Sequence, residues 1–396
     1  MRLSGRRAAL TFARGGILLG GMRGGRQIVP SAGRALTGRL LRRQEAGLVI
    51  VIVLIALVVA LVAGPEKLLN ADVLVNYLKD TSFVAIMAVG MTAVIISGGI
   101  DLSVGGVYAL SSVIGAMVLR HYGPLGAGAA SPVVGTALGI ATAIGVAGAC
   151  GLLNGLAVVL LRLHPFIITL GTMLIFRGIA FVSTEARSIG NFPGVMTGMI
   201  KTDLGLSEIG VGIGLQPVPM LVMIAVAALG TVYLSMMVAG RHVYAVGGNI
   251  EAARFSGLPT GRILVSVYVA AGLCAGVAGL VANGLYGSAS SARGLGYELK
   301  VIAAAVVGGA SLTGGRGTAL GAVLGAMLIQ LIEQSIITLG INQNYNQVVI
   351  GLAIIIAVVI DRVSSRAATR RLAAIAASRE GAQAAEPADT PEGENA

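Results

Sequence analysis

The side chains that could do chemistry in this chain are the few ionisable groups that lie near or inside apolar segments. Only 11% of the 396 residues are charged, and 56% are hydrophobic. Asp101 lies between two apolar runs, and Ser103 follows two residues later. Such a carboxylate could contact a polar solute or gate its path. It could instead cap the helix that follows, where free N–H groups and the helix dipole favour negative charge, and we expect this second role.

Arg177 is a charge placed deep in an apolar segment. It lies twelve residues into the run 165–183, about 18 Å from the start of that run at 1.5 Å per residue. A cation at this depth is costly unless it faces the interior of a helix bundle or reaches the membrane surface. Glu333 occupies a similar depth in a later run, so we predict that the two side chains pair.

Side-chain combinations typical of enzymes do not occur in the sequence. The three histidines are scattered between apolar runs, and no Gly-rich loop ends in Gly-Lys-Ser/Thr. Cys150 and Cys274 lie inside apolar runs without metal-ligand spacing, as expected of small buried hydrophobic residues. We therefore expect no catalytic site, metal or cofactor. Ion-coupled carriers usually need ionisable residues at membrane depth, and the one to three available here are few, so we expect energy to come from a partner protein.

The apolar segments that must position these residues have the length of membrane spans. A mean hydropathy of +0.89 places the chain among membrane proteins. A helix needs about 20 apolar residues to cross a bilayer. The sequence thus predicts an all-α polytopic membrane protein with about ten transmembrane helices, some of them short or broken. The ten segments are 47–63, 81–98, 103–119, 132–161, 165–183, 217–239, 263–285, 299–312, 317–338 and 345–360.

Three regions are predicted along the chain: a basic segment 1–45, a transmembrane domain 46–362 and a disordered tail 363–396. The first has ten arginines and one acidic residue, which before a span indicates the cytoplasmic side and contact with anionic lipid. A nucleic-acid-binding arm, an organellar transit peptide and an untranslated leader are alternatives, and we expect no nucleic-acid partner. Ten spans place both termini in the cytoplasm. Arg293 and Lys300 then fall outside, which we interpret as a sign of a re-entrant element.

A polar, glycine-rich loop, RHVYAVGGNIEAARFSGLPTGR at 241–262, separates the sixth and seventh apolar segments. Its pattern predicts a short helix from Glu251 to Gly257 that lies outside the bilayer, roughly parallel to it. Asn249 or Thr260 can cap such a helix, and glycines can set its ends. A second, soluble protein could push on a helix in this position.

Two glycine-rich stretches resemble each other, GGIDLSVGG at 98–106 and GGASLTGG at 308–315, and each is followed by a Gly-Ala-Met triplet. In transporters, internal repeats mark paired discontinuous helices around the path of the solute. The alternative is a chance similarity between helix ends, because glycine followed by serine or threonine satisfies exposed helix termini. The sequence leaves these two interpretations equally open.

Five segments in order resemble the membrane-spanning permease subunits of bacterial ABC importers for sugars, the ribose-type branch that also includes arabinose, xylose, galactose and autoinducer permeases. They are TSFVAIMAVGMTAVIISGGIDLSVGGVYAL at 81–110, HPFIITLGTMLIFRGIA at 164–180, YAVGGNIEAARFSGL at 244–258, GYELKVIAAAVVGGASLTGGRGT at 296–318 and NYNQVVIGLAIIIAVVID at 344–361. Each motif alone is weak, whereas five in register are specific. The basic N-terminus and the acidic tail depart from the family pattern.

The resemblance implies a multi-pass protein of the bacterial inner membrane with three protein partners: a cytoplasmic ATP-binding subunit, a periplasmic sugar-binding protein, and a second permease chain that is identical or closely similar. ATP would be bound by the partner, so the permease would need no cofactor. Transport would follow alternating access. The polar loop would couple the permease to the ATPase through Tyr244, Gly247, Gly248, Asn249, Glu251, Ala252, Ala253, Arg254 and Gly257.

The resemblance also implies a pathway with few dedicated ligands, because the binding protein selects the sugar. Asn154 and Asn283 are candidates for contacts with hydroxyl groups, although hydrogen bonds between helices are the alternative that we favour. A stretch in each repeat, 101–106 and 308–317, would line or gate the path near the cytoplasm. The candidate pathway or gate residues are Asp101, Ser103, Asn154, Arg177, Asn283, Gly308, Gly309 and Ser311.

Two other classes of function are alternatives to an importer subunit. One is a self-sufficient secondary carrier or channel for a small polar solute, and the other is a membrane scaffold that transports nothing. Pentose, hexose, sugar-alcohol and signalling-furanose permeases share the five motifs, so the resemblance implies a sugar or related polyol and no particular one.

Overall fold

The computed structural model describes residues 32–353 except 69, 129–130 and 203–215, together with 355–356 and 359. By its internal contacts the chain divides into two units, Met1–Leu41 and Arg42–Ala396. The first is described only where a helix begins at Ala32. The predicted tail and most of the predicted basic segment lie outside the described residues, so those two predictions stay predictions.

Helices account for nearly all of the regular structure in the described ranges. The one β-type pairing found there is an isolated antiparallel bridge between Ile189 and Ala289. Residues 345–353 are also helical. The helices are α1 (Ala32–Ala63), α2 (Pro65–Leu68), α3 (Ala71–Ile96), α4 (Val104–His121), α5 (Pro132–Leu161), α6 (Pro165–Thr184), α7 (Gly194–Lys201), α8 (Val218–Thr231), a π-helical turn (Val232–Met236), α9 (Val238–Gly248), α10 (Ile250–Phe255), α11 (Thr260–Tyr286), α12 (Tyr297–Val307) and α13 (Ala319–Thr338).

Eight helical segments in the described part of the chain are long and apolar enough to cross a membrane. They coincide with eight of the ten predicted spans. The predicted span 299–312 falls on α12, whose 11 residues are too few to cross. The predicted span 345–360 is helical where it is described. The all-α polytopic fold is therefore confirmed, and α12 is one of its short elements.

The helix α3 begins ten residues earlier than the predicted span 81–98. Asn70 caps its first turn, because the side-chain oxygen accepts a hydrogen bond from the Asp72 amide at 2.9 Å. The charges of Lys79 and Asp80 lower the local hydropathy, which is why the apolar pattern did not reveal this part of the helix. Both residues belong to the helix and not to a loop.

The core of the bundle forms around α3. In its apolar stretch, 89% of the residues are buried. It packs against α8, α11, α12 and α13. Close approach depends on small residues: a Cβ at Gly151 of α5 would lie 2.4 Å from the carbonyl oxygen of Tyr268 in α11. By contrast, only 22% and 17% of the residues are buried in the apolar stretches of α6 and of Val218–Met236. Most of their exposed side chains are apolar, as suits contact with lipid.

Candidate functional site

The polar loop at 241–262 contains the ends of two helices and a third, short helix. The π-helical turn ends at Met236, and Met237 takes an extended conformation (φ −83°, ψ 150°) from which α9 begins. The first part of the loop, through Gly248, is therefore the end of α9 and not an irregular segment. The predicted short helix is α10, and its bounds lie within two residues of the predicted ones.

Asn249 separates the two short helices and caps the second. Its backbone is extended (φ −162°, ψ 105°), and its side-chain oxygen accepts a hydrogen bond from the Ala252 amide at 2.9 Å. Gly257 follows α10 with φ +79°, a left-handed conformation that glycine adopts without strain. Thr260, the other predicted cap, is the first residue of α11 and follows its N-cap residue, Pro259. Of the two alternatives, Asn249 is thus the cap of the short helix, and Thr260 caps no helix.

Most of the surface of α10 is uncovered in this chain. Only Ala253 is buried in this helix, at 5% exposure. Glu251 and Arg254 are exposed, as are two apolar side chains, Ile250 at 45% and Phe255 at 88%. Two hydrophobic groups and two opposite charges are therefore available for contact with another protein.

The end of α9 contacts the last residue of α3, two residues before the first glycine-rich stretch, and the end of the second stretch. We call this point the junction, and its residues are Ile96, Tyr244, Gly247, Gly315 and Gly317. The Gly315 amide donates to the Ile96 carbonyl at 2.8 Å, and the Tyr244 hydroxyl donates to the Gly317 carbonyl at 2.7 Å. Burial raises the pKa of Tyr244 to about 12, so the hydroxyl keeps the proton that it donates. A Cβ on Gly247 would lie 1.6 Å from the Ile96 carbonyl oxygen, which leaves no room for a side chain.

The two glycine-rich stretches share one backbone geometry, so their similarity extends from sequence to structure. Each ends a helix with a Schellman motif, in which a left-handed glycine follows the last turn. The left-handed residues are Gly98 (φ +85°) and Gly309 (φ +96°), so Gly98 corresponds to Gly309 and not to Gly308. The paired hydrogen bonds are Gly98 N to Ile95 O (2.9 Å) with Gly99 N to Val94 O (3.0 Å), and Gly309 N to Val306 O (2.9 Å) with Ala310 N to Ala305 O (2.9 Å).

The second stretch closes the short helix α12 against the start of α13. A Cβ at Gly308 would lie 2.2 Å from the carbonyl oxygen of Gly321, so the two helices touch through their backbones. Ser311 is 2% exposed, and its hydroxyl lies 2.9 Å from that of Thr313. These candidate pathway residues therefore form a tight turn in the conformation that the structure shows.

Asp101 organises the turn that leads into α4. The carboxylate accepts hydrogen bonds from the amide of Ser103 at 2.8 Å and from its hydroxyl at 2.6 Å. We expected Asp101 to cap α4. It does act at the start of that helix, but it bonds to the N-cap residue, Ser103, and not to the free N–H groups of the first turn. The Asn154 amide of α5 donates to the Ser103 hydroxyl at 2.6 Å. All three side chains are essentially buried.

Asn283 joins α11 to α4 through both ends of its amide. Its oxygen accepts from the Ser112 hydroxyl at 2.6 Å, and its nitrogen donates to the Ser112 carbonyl at 2.9 Å. Asn283 is 0% exposed, like Asn154. Both asparagines make the hydrogen bonds between structural elements that the sequence analysis favoured over contact with a solute.

Arg177 holds the loop between α11 and α12. Its guanidinium donates to the carbonyl oxygens of Ser291 (3.1 Å), Arg293 (2.9 Å) and Gly294 (2.8 Å). Backbone that is not helical is tolerated at membrane depth only where its polar groups find partners. One side chain of α6, itself 8% exposed, satisfies three such groups.

The predicted pairing of Arg177 with Glu333 is wrong. Glu333 of α13 instead forms an ion pair with Lys300 of α12, at 2.5 Å. The reason is topological: α12 is a short helix that packs along α13, whereas α6 packs mainly against α4. Similar depth along two helices did not imply that those helices are neighbours.

The loop at 287–296 turns at three glycines, Gly287, Gly294 and Gly296, which take left-handed conformations, and the short helix α12 follows. The re-entrant element stays a prediction. Arg293 and Lys300 were singled out from the sequence, whereas Asp80 and the tyrosines of this region were not. A signal was present, since charged and aromatic residues are rare in this chain.

Comparison with known proteins adds independent information. A family model described as "Branched-chain amino acid transport system / permease component" matches residues 73–358. The ribose import permease protein of Haemophilus influenzae is 37% identical over 287 residues, which cover 72% of this chain and 82% of that protein. The D-allose transport system permease protein of Escherichia coli K12 is 34% identical over 274 residues, covering 68% and 78%. The galactose/methyl galactoside import permease protein of the same strain is 33% identical over 284 residues, covering 71% and 82%. No solved structure matches the chain.

The family match covers the same central part of the chain that carries the five motifs, and the basic segment and the first membrane-spanning helix precede it. With eight helices able to span a membrane in the described part alone, the chain is a multi-pass membrane protein. The resemblance drawn from the motifs is confirmed: the chain belongs to the family of membrane-spanning transport permeases that includes the import permeases named above.

Proposed function

We propose that the chain is the membrane-spanning subunit of an ATP-driven importer that carries a sugar or related polyol across the bacterial inner membrane. The names of its relatives, which are permease proteins for ribose, allose and galactose, support the substrate class. The subunit would not itself be an enzyme. A separate cytoplasmic subunit would bind and hydrolyse ATP, so the permease would need no cofactor.

The junction is the observation that carries this proposal. It connects the end of α9, which leads through Asn249 into the exposed helix α10, with the end of α3 and with the turn between α12 and α13. An ATPase that moved α10 would therefore displace both glycine-rich turns together. Alternating access needs a force of this kind, because a transporter changes state only when its partner binds the two states with different affinity.

The remaining parts of the assembly follow from the same proposal. A second permease chain, identical or closely similar, would complete the pore, and a periplasmic binding protein would deliver the sugar. Both termini would lie in the cytoplasm, with the basic N-terminal segment against anionic lipid. The turns that contain Asp101 and Gly308–Ser311 would gate the path on the cytoplasmic side.

The proposal is tested by truncating one exposed apolar side chain in α10 and one in the middle of a spanning helix. Phe255 in α10 is 88% exposed, and Leu174 in α6 is 64% exposed. The permease is reconstituted in proteoliposomes with its cognate ATP-binding subunit and binding protein, and uptake of D-ribose, D-allose and methyl galactoside is measured. We expect Phe255→Ala to lower uptake at least about tenfold, as for loss of an aromatic anchor in an interface, and Leu174→Ala to leave it unchanged.

Uptake by the permease alone, without any ATPase, would contradict the proposal and favour a secondary carrier or channel. Failure of the complete assembly to take up any of the three sugars would contradict the substrate class. Loss of uptake in Phe255→Ala should be accompanied by loss of the ATP-binding subunit from the purified complex, which separates a docking defect from an unfolded permease.

A further inference from the structure

A second polar region lies far from the junction along the helices. It consists of side chains from α3, the end of α11, the loop after it, α12 and α13. We call it the charged aromatic cluster, and its members are Asp80, Tyr286, Arg293, Tyr297, Lys300 and Glu333.

The members of the cluster are linked by direct contacts. The Tyr286 hydroxyl donates to the Asp80 carboxylate at 3.2 Å, and the Arg293 guanidinium lies 4.5 Å from the centre of the Tyr286 ring. The Lys300 ammonium pairs with Glu333 at 2.5 Å and lies 5.4 Å from the centre of the Tyr297 ring. Asp80 is also close enough to Lys300 and Glu333 to interact with both charges.

Helix geometry places the cluster at membrane depth. Asp80 precedes Ile96 of the junction by sixteen residues of continuous helix, about 24 Å at 1.5 Å per residue. Glu333 follows the start of α13, next to the junction, by fourteen residues, about 21 Å. A bilayer core is about 30 Å thick. With the junction at the cytoplasmic surface, as the proposed function places it, both groups lie in the opposite half of the membrane.

The cluster is partly uncovered in the single chain. Tyr286 is 47% exposed, and the Lys300 side chain is 23% exposed. Asp80 and Arg293 are also partly exposed. Charged groups at this depth do not face hydrocarbon, and in known transporters they line ion or substrate pathways. The uncovered side of the cluster therefore needs water or another protein chain beside it in the assembled transporter, and an aqueous path would provide the water.

A buried hydroxyl lies behind the cluster. The Tyr108 ring lies 5.6 Å from the Tyr297 ring. Tyr108 is 1% exposed, and its hydroxyl has no hydrogen-bond partner among the described residues. Buried polar atoms normally have a partner, so this hydroxyl can still bond to a polar molecule that enters the cluster.

We propose that the charged aromatic cluster is a contact site for the transported sugar in the outer part of the path, an inference that rests on the proposed function. Sugar hydroxyls both donate and accept hydrogen bonds, so they can bond to the carboxylates of Asp80 and Glu333 and to the cations of Arg293 and Lys300. The tyrosine rings offer apolar faces for the C–H faces of a sugar and hydroxyls for its polar edge. Its place at the break between α11 and α12 is typical of transporter binding sites.

The first test asks whether the cluster meets water. In a permease with Cys150→Ala and Cys274→Ala, Tyr286→Cys is compared with Ile179→Cys, because the two native side chains are 47% and 46% exposed. Ile179 lies among apolar side chains of α6. A membrane-impermeant, cationic thiol reagent should label Tyr286→Cys and leave Ile179→Cys unlabelled. Labelling of neither, or of both equally, would overturn the inference while leaving the proposed importer function intact.

The second test asks whether the cluster contacts the sugar. Asp80→Asn and Glu333→Gln are compared with Asp72→Asn, which changes an exposed carboxylate on the same helix as Asp80. Uptake of the sugar that wild-type proteoliposomes transport should fall at least about tenfold in the first two, as for loss of hydrogen bonds to a charged group, and stay unchanged in the third. ATP hydrolysis stimulated by the loaded binding protein should persist in all three.

The outcomes separate the two proposals. Uptake at the wild-type rate in both cluster variants would refute the contact site alone. Loss of stimulated ATP hydrolysis together with uptake would assign the cluster to folding or coupling, and would also refute it. A wild-type assembly without any sugar uptake would overturn the proposed function, and the contact site with it.

Discussion

The junction and the charged aromatic cluster lie at different levels of the same helices and use different parts of the chain. At the junction the contacts are made largely by backbone atoms, as between Gly315 and Ile96 at 2.8 Å, and Gly247 has no space for a side chain. In the cluster the contacts are made by long side chains, as between Lys300 and Glu333. The same helices, α3 and α13, connect the two regions.

This difference fits two different tasks. Where two backbones touch directly, no side chain can change rotamer to absorb a movement, so a displacement of α9 would move its neighbours as well. A pair of long side chains can exchange partners through rotamer changes while the helices move. Under the two proposals, the junction would transmit force and the cluster would make adaptable contacts with a solute, and the following predictions test this division of tasks.

Gly247→Val should have the largest effect, because it places carbon atoms where the Ile96 carbonyl now lies. We expect loss of uptake, and destabilisation of about 1–3 kcal/mol or more from overpacking. The matched control is Gly145→Val in α5, since a Cβ at that exposed glycine would meet nothing within 4 Å. Uptake and thermal unfolding in detergent measure both effects. Equal behaviour of the two variants would show that the junction is not a tight contact.

Arg177→Leu should destabilise the loop at 287–296, which contains part of the cluster. It leaves three carbonyl groups without their donor, and each buried unsatisfied group costs about 1–3 kcal/mol. We expect a lower unfolding temperature and proteolytic cleavage within the loop. Arg187→Leu is the control, because that arginine is paired with Glu185 on the surface at 83% side-chain exposure. A stable Arg177→Leu protein would show that the loop is held by other contacts.

The sequence was sufficient to predict the parts of this molecule that depend on local pattern. Apolar length predicted the long helices, and Asn249 together with Gly257 predicted the short helix α10. The repeated Gly-Gly pattern predicted matching turns, although its register was wrong by one residue, because the left-handed position depends on where the preceding helix ends.

The parts that could not be predicted depend on which helices are neighbours. Arg177 was expected to meet Glu333 because both are charged and similarly deep, and no local pattern shows that α12 lies along α13. The start of α3 was missed for a related reason. Lys79 and Asp80 are charged, so the local hydropathy did not indicate a membrane helix. They are accommodated in α3 because side chains from distant segments contact them, as Tyr286 contacts Asp80.

The Lys300–Glu333 pair tests whether the cluster is adaptable. The single variants Lys300→Glu and Glu333→Lys should each destabilise the protein. Because the pair is partly buried, the loss should lie between about 1 kcal/mol, typical of an exposed pair, and about 3–5 kcal/mol, typical of a fully buried one. The double exchange should recover much of the stability, because the opposite charges meet again. Thermal unfolding of all four proteins measures the coupling. Additive losses in the double variant would show that each charge depends on other partners.

Asn249→Ala should have the smallest effect, confined to α10. It removes the cap on the Ala252 amide, which is worth about 1 kcal/mol for a helix N-terminus. Because α10 has only six residues and one buried side chain, this loss should fray the helix without unfolding the bundle. Hydrogen exchange over 250–255 should accelerate, while exchange in α3 stays unchanged. Thr260→Ala, at the position that caps no helix, should leave exchange in α10 as it was. If Asn249→Ala also slowed ATP-driven uptake, α10 would need to be folded before it contacts the ATPase. Force transmission would then begin at this helix and reach the junction afterwards.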